Sequence, residues 1–227
     1  MTLTYETAPR GPVKTVAALT KLGRIRLSRY FFARNFLNSE IGNFHAIPNL
    51  VDDQGVFVAA GRALCKNLLD PLVETFGPIE VRSAHRHPDV NAFGNAKALG
   101  CARNEINYAG HIWDRRDAAG RMGACVSIVV PWFGEQADRG RDWRDLAWWI
   151  HDHLPYHEMW FFIHRAAFNL TWREAPGRTI SSYKAPKGKL LAEGAEPSEH
   201  AEMRRRRYSD FPPFRGISYP ELPENWA

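Results

Sequence analysis

Tyr108 to Phe133 reads YAGHIWDRRDAAGRMGACVSIVVPWF. Asp117-Ala118-Ala119-Gly120 supplies turn residues between two arms, with glycine where positive φ is easiest, and the whole reads as a hairpin. The second arm, Ala124 through Val130, is almost continuously apolar and β-branched. That composition suits a central strand covered on both faces. The first arm carries His111, Trp113, Asp114 and Asp117. Alternation along a strand would put His111 and Trp113 on one face and Asp114 on the other.

Upstream, Ala60, Leu64, Leu68 and Leu72 recur at helical spacing and predict a helix over 56–76. Pro71 removes a backbone donor, so the helix should kink or restart there, and Gly77-Pro78 ends it. Residues 79–83 alternate as a strand, whereas 27–41 fit a short amphipathic helix. Downstream, 134–140 reads as a loop, Asp142 caps a helix over 142–153, and 159–163 is an apolar strand. The fold class predicted is α+β: a central mostly antiparallel sheet of 79–83, 108–114, 122–130 and 159–163, flanked by helices, with extended N- and C-terminal arms. The expected divisions are an arm over 1–29, a body over 30–190 and a second arm over 191–227. The second arm lacks a clear period but carries Tyr208, Phe211, Phe214, Tyr219 and Trp226 among prolines. Too many anchors for an idle linker, these predict docking on this chain or a neighbouring one.

The 227 residues are 44% hydrophobic and 12% aromatic, and no apolar run approaches the ~20 residues of a membrane span, so a soluble, globular protein with no membrane partner is expected. The apolar piece Val16–Leu19 is too short for a signal-peptide core, which points to a cytoplasmic protein. Cys65, Cys101 and Cys125 lack paired metal spacing and read as buried free thiols. The net charge of +5 is gathered partly in Arg204–Arg207; a solvated segment explains that run better than a nucleic-acid site, since no base-reading motif accompanies it. His85 and His87 read as loop histidines. His151-Asp152-His153 reads as a solvated helix end, because adjacent helical residues project ~100° apart and cannot share one ion.

Four segments in order, FLNSEI at 36–41, LCKNLLDPLVETFGPIEVRSAHRHPDVN at 64–91, GACVSIVVP at 123–131 and EMWFFIH at 158–164, resemble the zinc D-alanyl-D-alanine carboxypeptidase family, the hedgehog-like peptidases, whose phage members include endolysins. The resemblance spans about 30–165 and implies a zinc peptidase acting on peptidoglycan peptides. It makes Arg86 the substrate-holding arginine, Glu158 the catalytic base, and His111 and His164 metal ligands. Where the family has its ligating aspartate this chain has Ser127, which leaves Asp114 or Asp117 to complete a zinc set. Two functions follow as expectations. One is a divergent zinc-dependent hydrolase. The other is a protein that reuses the fold without its metal, as a structural or binding component of a virion-like, phage-type particle, with a peptidoglycan peptide or an assembly partner, including further copies of itself, in place of a substrate.

Overall fold

The computed structural model describes residues 11–164 and 166–216. In chain order it contains α1 (Val16–Gly23), a 3-10 turn (Ala33–Phe36), α2 (Glu40–Phe44), α3 (Gln54–Leu64), a π-helical turn (Cys65–Leu69), α4 (Asp70–Phe76), β1 (Glu80–Ser83), α5 (Pro88–Ala96) and α6 (Asn104–Asn107). Then follow β2 (Gly123–Val129), α7 (Pro131–Asp138), α8 (Trp143–His153), β3 (Glu158–Phe161), β4 (Phe168–Arg173), β5 (Thr179–Ser182), β6 (Gly188–Leu191) and α9 (Ala201–Arg207). The strands form one sheet in the order β1-β2-β4-β3-β5-β6, antiparallel except for the parallel pair β3 and β5. The α+β architecture read from the sequence is therefore present.

β2 lies between β1 and β4, and its alternate residues Ala124, Val126 and Ile128 are fully buried on the face that α3 covers. The opposite face carries Cys125 and Ser127, and it floors the cleft described below. α8 follows its predicted bounds closely, capped by Asp142, which accepts from the Arg144 amide at 2.9 Å.

Several expectations change. Residues 108–114 are not a strand of the sheet: Tyr108 and Ile112 form an isolated bridge inside a turn in which Ala109 has φ +53°. The neighbours of β2 are instead β1 and β4, and the distant segment 168–173 takes the place assigned to the hairpin's first arm. Residues 27–41 hold a 3-10 turn and the start of α2 rather than one helix, and part of 134–140 continues α7 from Pro131, whose fixed φ and missing N–H suit a first helical position. The segment expected as an N-terminal arm contributes Val13, Leu22, Ile25 and Leu27 to the core, and it contains α1. Residues 1–10 and 217–227 lie outside the described part, so the expected anchors Tyr219 and Trp226 do too.

The predicted break near Pro71 is a π turn. One extra residue at 65–69 lets the chain restart with Pro71 in the first turn of α4, where its missing donor leaves no gap in the ladder. Asp70 sits at this junction, accepting from the Ser28 hydroxyl at 2.7 Å. Burial, reinforced by Glu74 and opposed by the Ser28 hydroxyl, raises its pKa from 3.8 to about 6. Since the folded pKa lies above the unfolded value, the stability linked to Asp70 is full below about pH 4 and is lost as pH rises through about 6. Two pKa units correspond to about 3 kcal/mol. Denaturant titrations of Asp70→Asn against the parent should show the variant's stability falling less between pH 4 and 7.

The C-terminal segment docks on its own body. Arg204 pairs with Asp152 at 2.7 Å, Arg207 with Asp145 at 2.9 Å, and Tyr208 donates to Asp152 at 2.7 Å. The arginine run is thus partly committed to carboxylates of α8 and its N-cap rather than wholly solvated, although Arg205 and Arg206 are exposed. His153 is likewise no bare helix end: its ring stacks on Trp149 at 4.7 Å and meets Phe214 at 5.2 Å. Phe211, buried, fills a gap among Phe76, Trp132 and Phe133, with ring centroids 5.1–6.1 Å away.

Candidate ligand-binding cleft

A cleft of about 480 Å³ opens over the outer face of the sheet. Strand register builds its floor. Ser127 faces Ser83 on one side and Asn169 on the other, and Asn169 faces Trp160. The next row runs from Cys125 through Thr171 to Glu158. Period-two alternation thereby sends apolar residues to the α3 side and polar ones to the cleft.

The wall over β2 is the 108–114 turn. Cys125 N donates to Gly110 O at 2.9 Å, and the Arg173 guanidinium holds Ala109 O and Tyr108 O at 3.2 and 3.3 Å. Trp113 pins the turn from within: it is fully buried, its Nε1 donates to Cys125 O at 2.9 Å, and its ring packs against Phe36 and Phe57. The adjoining wall is the loop after β1. Arg86 N donates to His111 O at 2.8 Å, and His85 lies fully buried between Leu50 O (2.8 Å from Nε2) and the Trp113 amide, which donates to its Nδ1 at 3.3 Å. Both flanking histidines lie in the loop between β1 and α5, as read: His87 accepts from Asp89 N at the start of α5 and lies 3.4 Å from Asp52.

His111 reaches into the cleft with Nδ1 against Ala84 O at 2.9 Å, which makes Nδ1 the protonated nitrogen and leaves Nε2 as an acceptor. Nε2 faces Cys125 Sγ at 3.5 Å, and the Asn169 side chain also bonds to the ring. Burial, with Arg86 nearby, pushes the His111 pKa down to about 3, so the ring stays neutral at ordinary pH. Burial also drives the Cys125 thiol up to about 12. A protonated thiol is a poor nucleophile. Ser127 donates its hydroxyl to Asn169 Oδ1 at 2.5 Å, toward an amide rather than a base. The floor is neutral and hydrogen-bonded, without an activated nucleophile among these groups.

Charge sits at the sides. Glu158 is half-buried and its carboxylate has no hydrogen bond or ion pair among the described residues; burial raises its pKa, against the lowering fields of Arg173 and Lys189. Arg86 is 8% exposed, so its guanidinium has almost no water of its own. Its Nη1 donates to Cys101 Sγ at 2.6 Å. The other edge, Nε and Nη2, has no hydrogen-bond partner among the described residues, and Nε is fully buried. That edge is the one that grips a carboxylate or phosphate with two parallel bonds. No family model, curated protein or solved structure matches the chain. The cleft therefore has to be read from its own atoms.

Of the residues marked in the sequence, Arg86, His111, Ser127 and Glu158 come together in this cleft. His164 and Asp114 do not join them. His164 is exposed in the turn between β3 and β4. The Asp114 carboxylate is buried on the other side of the turn, where Oδ2 accepts from Asp52 N at 2.7 Å and Arg115 lies 3.9 Å away. Asp117 ties its own turn together through the amides of Ala119 and Arg121. As placed, these side chains do not fit a three-ligand zinc centre, and among the described residues no three His, Cys, Asp or Glu side chains converge as a metal set. Asn169, Arg82 and Trp160, none of them marked as a site residue in the sequence, also line the cleft. The one available signal was the alternation in FNLTWR, which sets Asn169 and Thr171 on a common face.

Proposed function

We propose that the cleft is a recognition site for the terminal carboxylate of a peptide-type ligand, held in a peptidase-like fold that acts as a binding or assembly component rather than as a zinc hydrolase. The observation that carries this reading is buried Arg86 in the cleft wall, a cation without an ion pair among the described residues, whose Nη2 makes no hydrogen bond there. Holding a cation this far out of water without a counter-charge costs free energy, and an incoming carboxylate would supply that charge and a charge-assisted bond. The neutral floor of His111, Ser127 and Asn169 offers uncharged polar contacts to the peptide unit behind that carboxylate. A stem-peptide end of peptidoglycan has this chemistry, and so does the C-terminus of a protein partner in a particle.

Calorimetric titration with a peptide ending in D-alanyl-D-alanine, and with its C-terminal amide, checks the proposal. The acid should bind and the amide should bind at least about tenfold more weakly, the equivalent of about 1.4 kcal/mol. Arg86→Gln should remove the difference, whereas Arg86→Lys should restore only part of it, because an ammonium cannot form the two-pronged contact. Equal binding of acid and amide by the parent protein would sink the reading. One observation favours a hydrolytic second reading: Arg86, His111 and Glu158, the resemblance's own positions, share the cleft, and Glu158 has a raised pKa suited to accepting a proton from water. Release of D-alanine from such peptides, abolished by Glu158→Gln, would establish it.

A further inference from the structure

The geometry points to a ligand with two opposite charges: the cleft takes a short free peptide whose carboxylate lies on Arg86 and whose ammonium lies on Glu158. This rests on the carboxylate reading above and adds the second charge. Glu158 projects from β3 and Arg86 from the loop following β1, at opposite sides of the cleft, with the uncharged Ser127, Asn169 and His111 between them. The two charges do not neutralise each other. Arg86 donates to Cys101, and the carboxylate of Glu158 has no bonded partner among the described residues.

The cations whose fields reach Glu158 are Arg173 and Lys189. Arg173 is already spent on Ala109 O, Tyr108 O and Asp117. Lys189 is exposed on β6, two strands beyond β3, where water screens it. Cys125, on the cleft floor, lies in the fields of both Glu158 and Arg86. A half-buried carboxylate at the side of the cleft is costly to hold ionised, and a ligand ammonium would supply a counter-charge.

The size of the ligand follows from the sheet. β1 and β3 are three strand spacings apart, roughly 14 Å, and the two long side chains reach inward from each side. A ligand of two or three extended residues, at ~3.3–3.6 Å each, is shorter than that span and is the size proposed.

The test uses trialanine in its L and D forms, each also as the N-acetyl and the C-terminal amide derivative, titrated against the intact chain. Free trialanine of one hand should bind, and N-acetylation should weaken it about tenfold or more, a difference of about 1.4 kcal/mol. Glu158→Gln should bind the free and acetylated forms alike, while keeping the preference for acid over amide. The ligand comparison uses the parent protein alone, so a misfolded variant cannot decide the matter. If N-acetyltrialanine binds as tightly as the free peptide, the ammonium site is refuted while carboxylate recognition stands. If amide and acid bind equally, both fall.

Discussion

Gly123→Ala should cost about 3 kcal/mol or more and should dismantle the cleft, because an added Cβ has nowhere to go. It would lie 2.3 Å from Ala109 O, 2.7 Å from Arg173 Cγ and 2.9 Å from Trp172 O. Two of those three atoms are backbone, fixed by the 108–114 turn and by β4, and neither can rotate away. The turn that presents His111 would have to lift from β2, taking with it the Cys125 N to Gly110 O bond. Gly134→Ala is the control: its Cβ would meet only Val129 Cγ1, at 3.9 Å, inside α7, where alanine is the better helix former. Urea denaturation should therefore show opposite signs for two chemically identical changes. A Gly123→Ala protein as stable as the parent would mean that the turn does not rest on β2 as described.

Phe211→Ala should lose about 3–5 kcal/mol, the usual range for emptying a buried aromatic site. The ring is 8% exposed, touches Phe76, Trp132 and Phe133, and is capped by the Arg141 guanidinium 4.9 Å from its centroid. Arg141 in turn holds Asp210 at 2.6 Å and Arg207 O at 2.7 Å, so emptying the site also loosens its lid. Removing residues 208–227 takes Tyr208 as well and uncovers the same aromatic seat. The truncated chain should keep its far-ultraviolet circular dichroism but bind an apolar dye and associate on gel filtration. A truncated protein that stays monodisperse would show the segment to be dispensable.

Much of the fold was legible because it rests on local periodicity. The stripe Trp143, Leu146, Ala147, Ile150 defined α8, and the apolar β-branched run defined β2. The 108–114 segment misled because its residues alternate as a strand would, while the conformation is set by non-local bonds: Arg173 to two of its carbonyls, and Cys125 to a third. Strands β5 and β6 have four residues each, too few for a period to declare itself among the glycines, lysines and prolines around them. Within the cleft, Arg86, His111 and Glu158 were visible as chemistry-bearing residues in a familiar order. Asn169 was not, since its role depends on lying opposite Ser127, a fact of register between strands some forty residues apart. Asp114 was assigned to the site because carboxylates near histidines look alike in sequence whether they face a cleft or brace a turn.

The seat that receives Phe211 is lined by Phe76, Trp132 and Phe133, and the last strand of the sheet ends at Leu191, 20 residues ahead of the plug. At synthesis rates of about 5–20 residues per second, the completed sheet waits about 1–4 s for that plug, with the aromatic depression open. During that interval the newborn protein offers a sticky surface to whatever hydrophobic segment or chaperone reaches it first. Codon choice between the two positions, by setting the length of the delay, would then influence yield without changing a single residue.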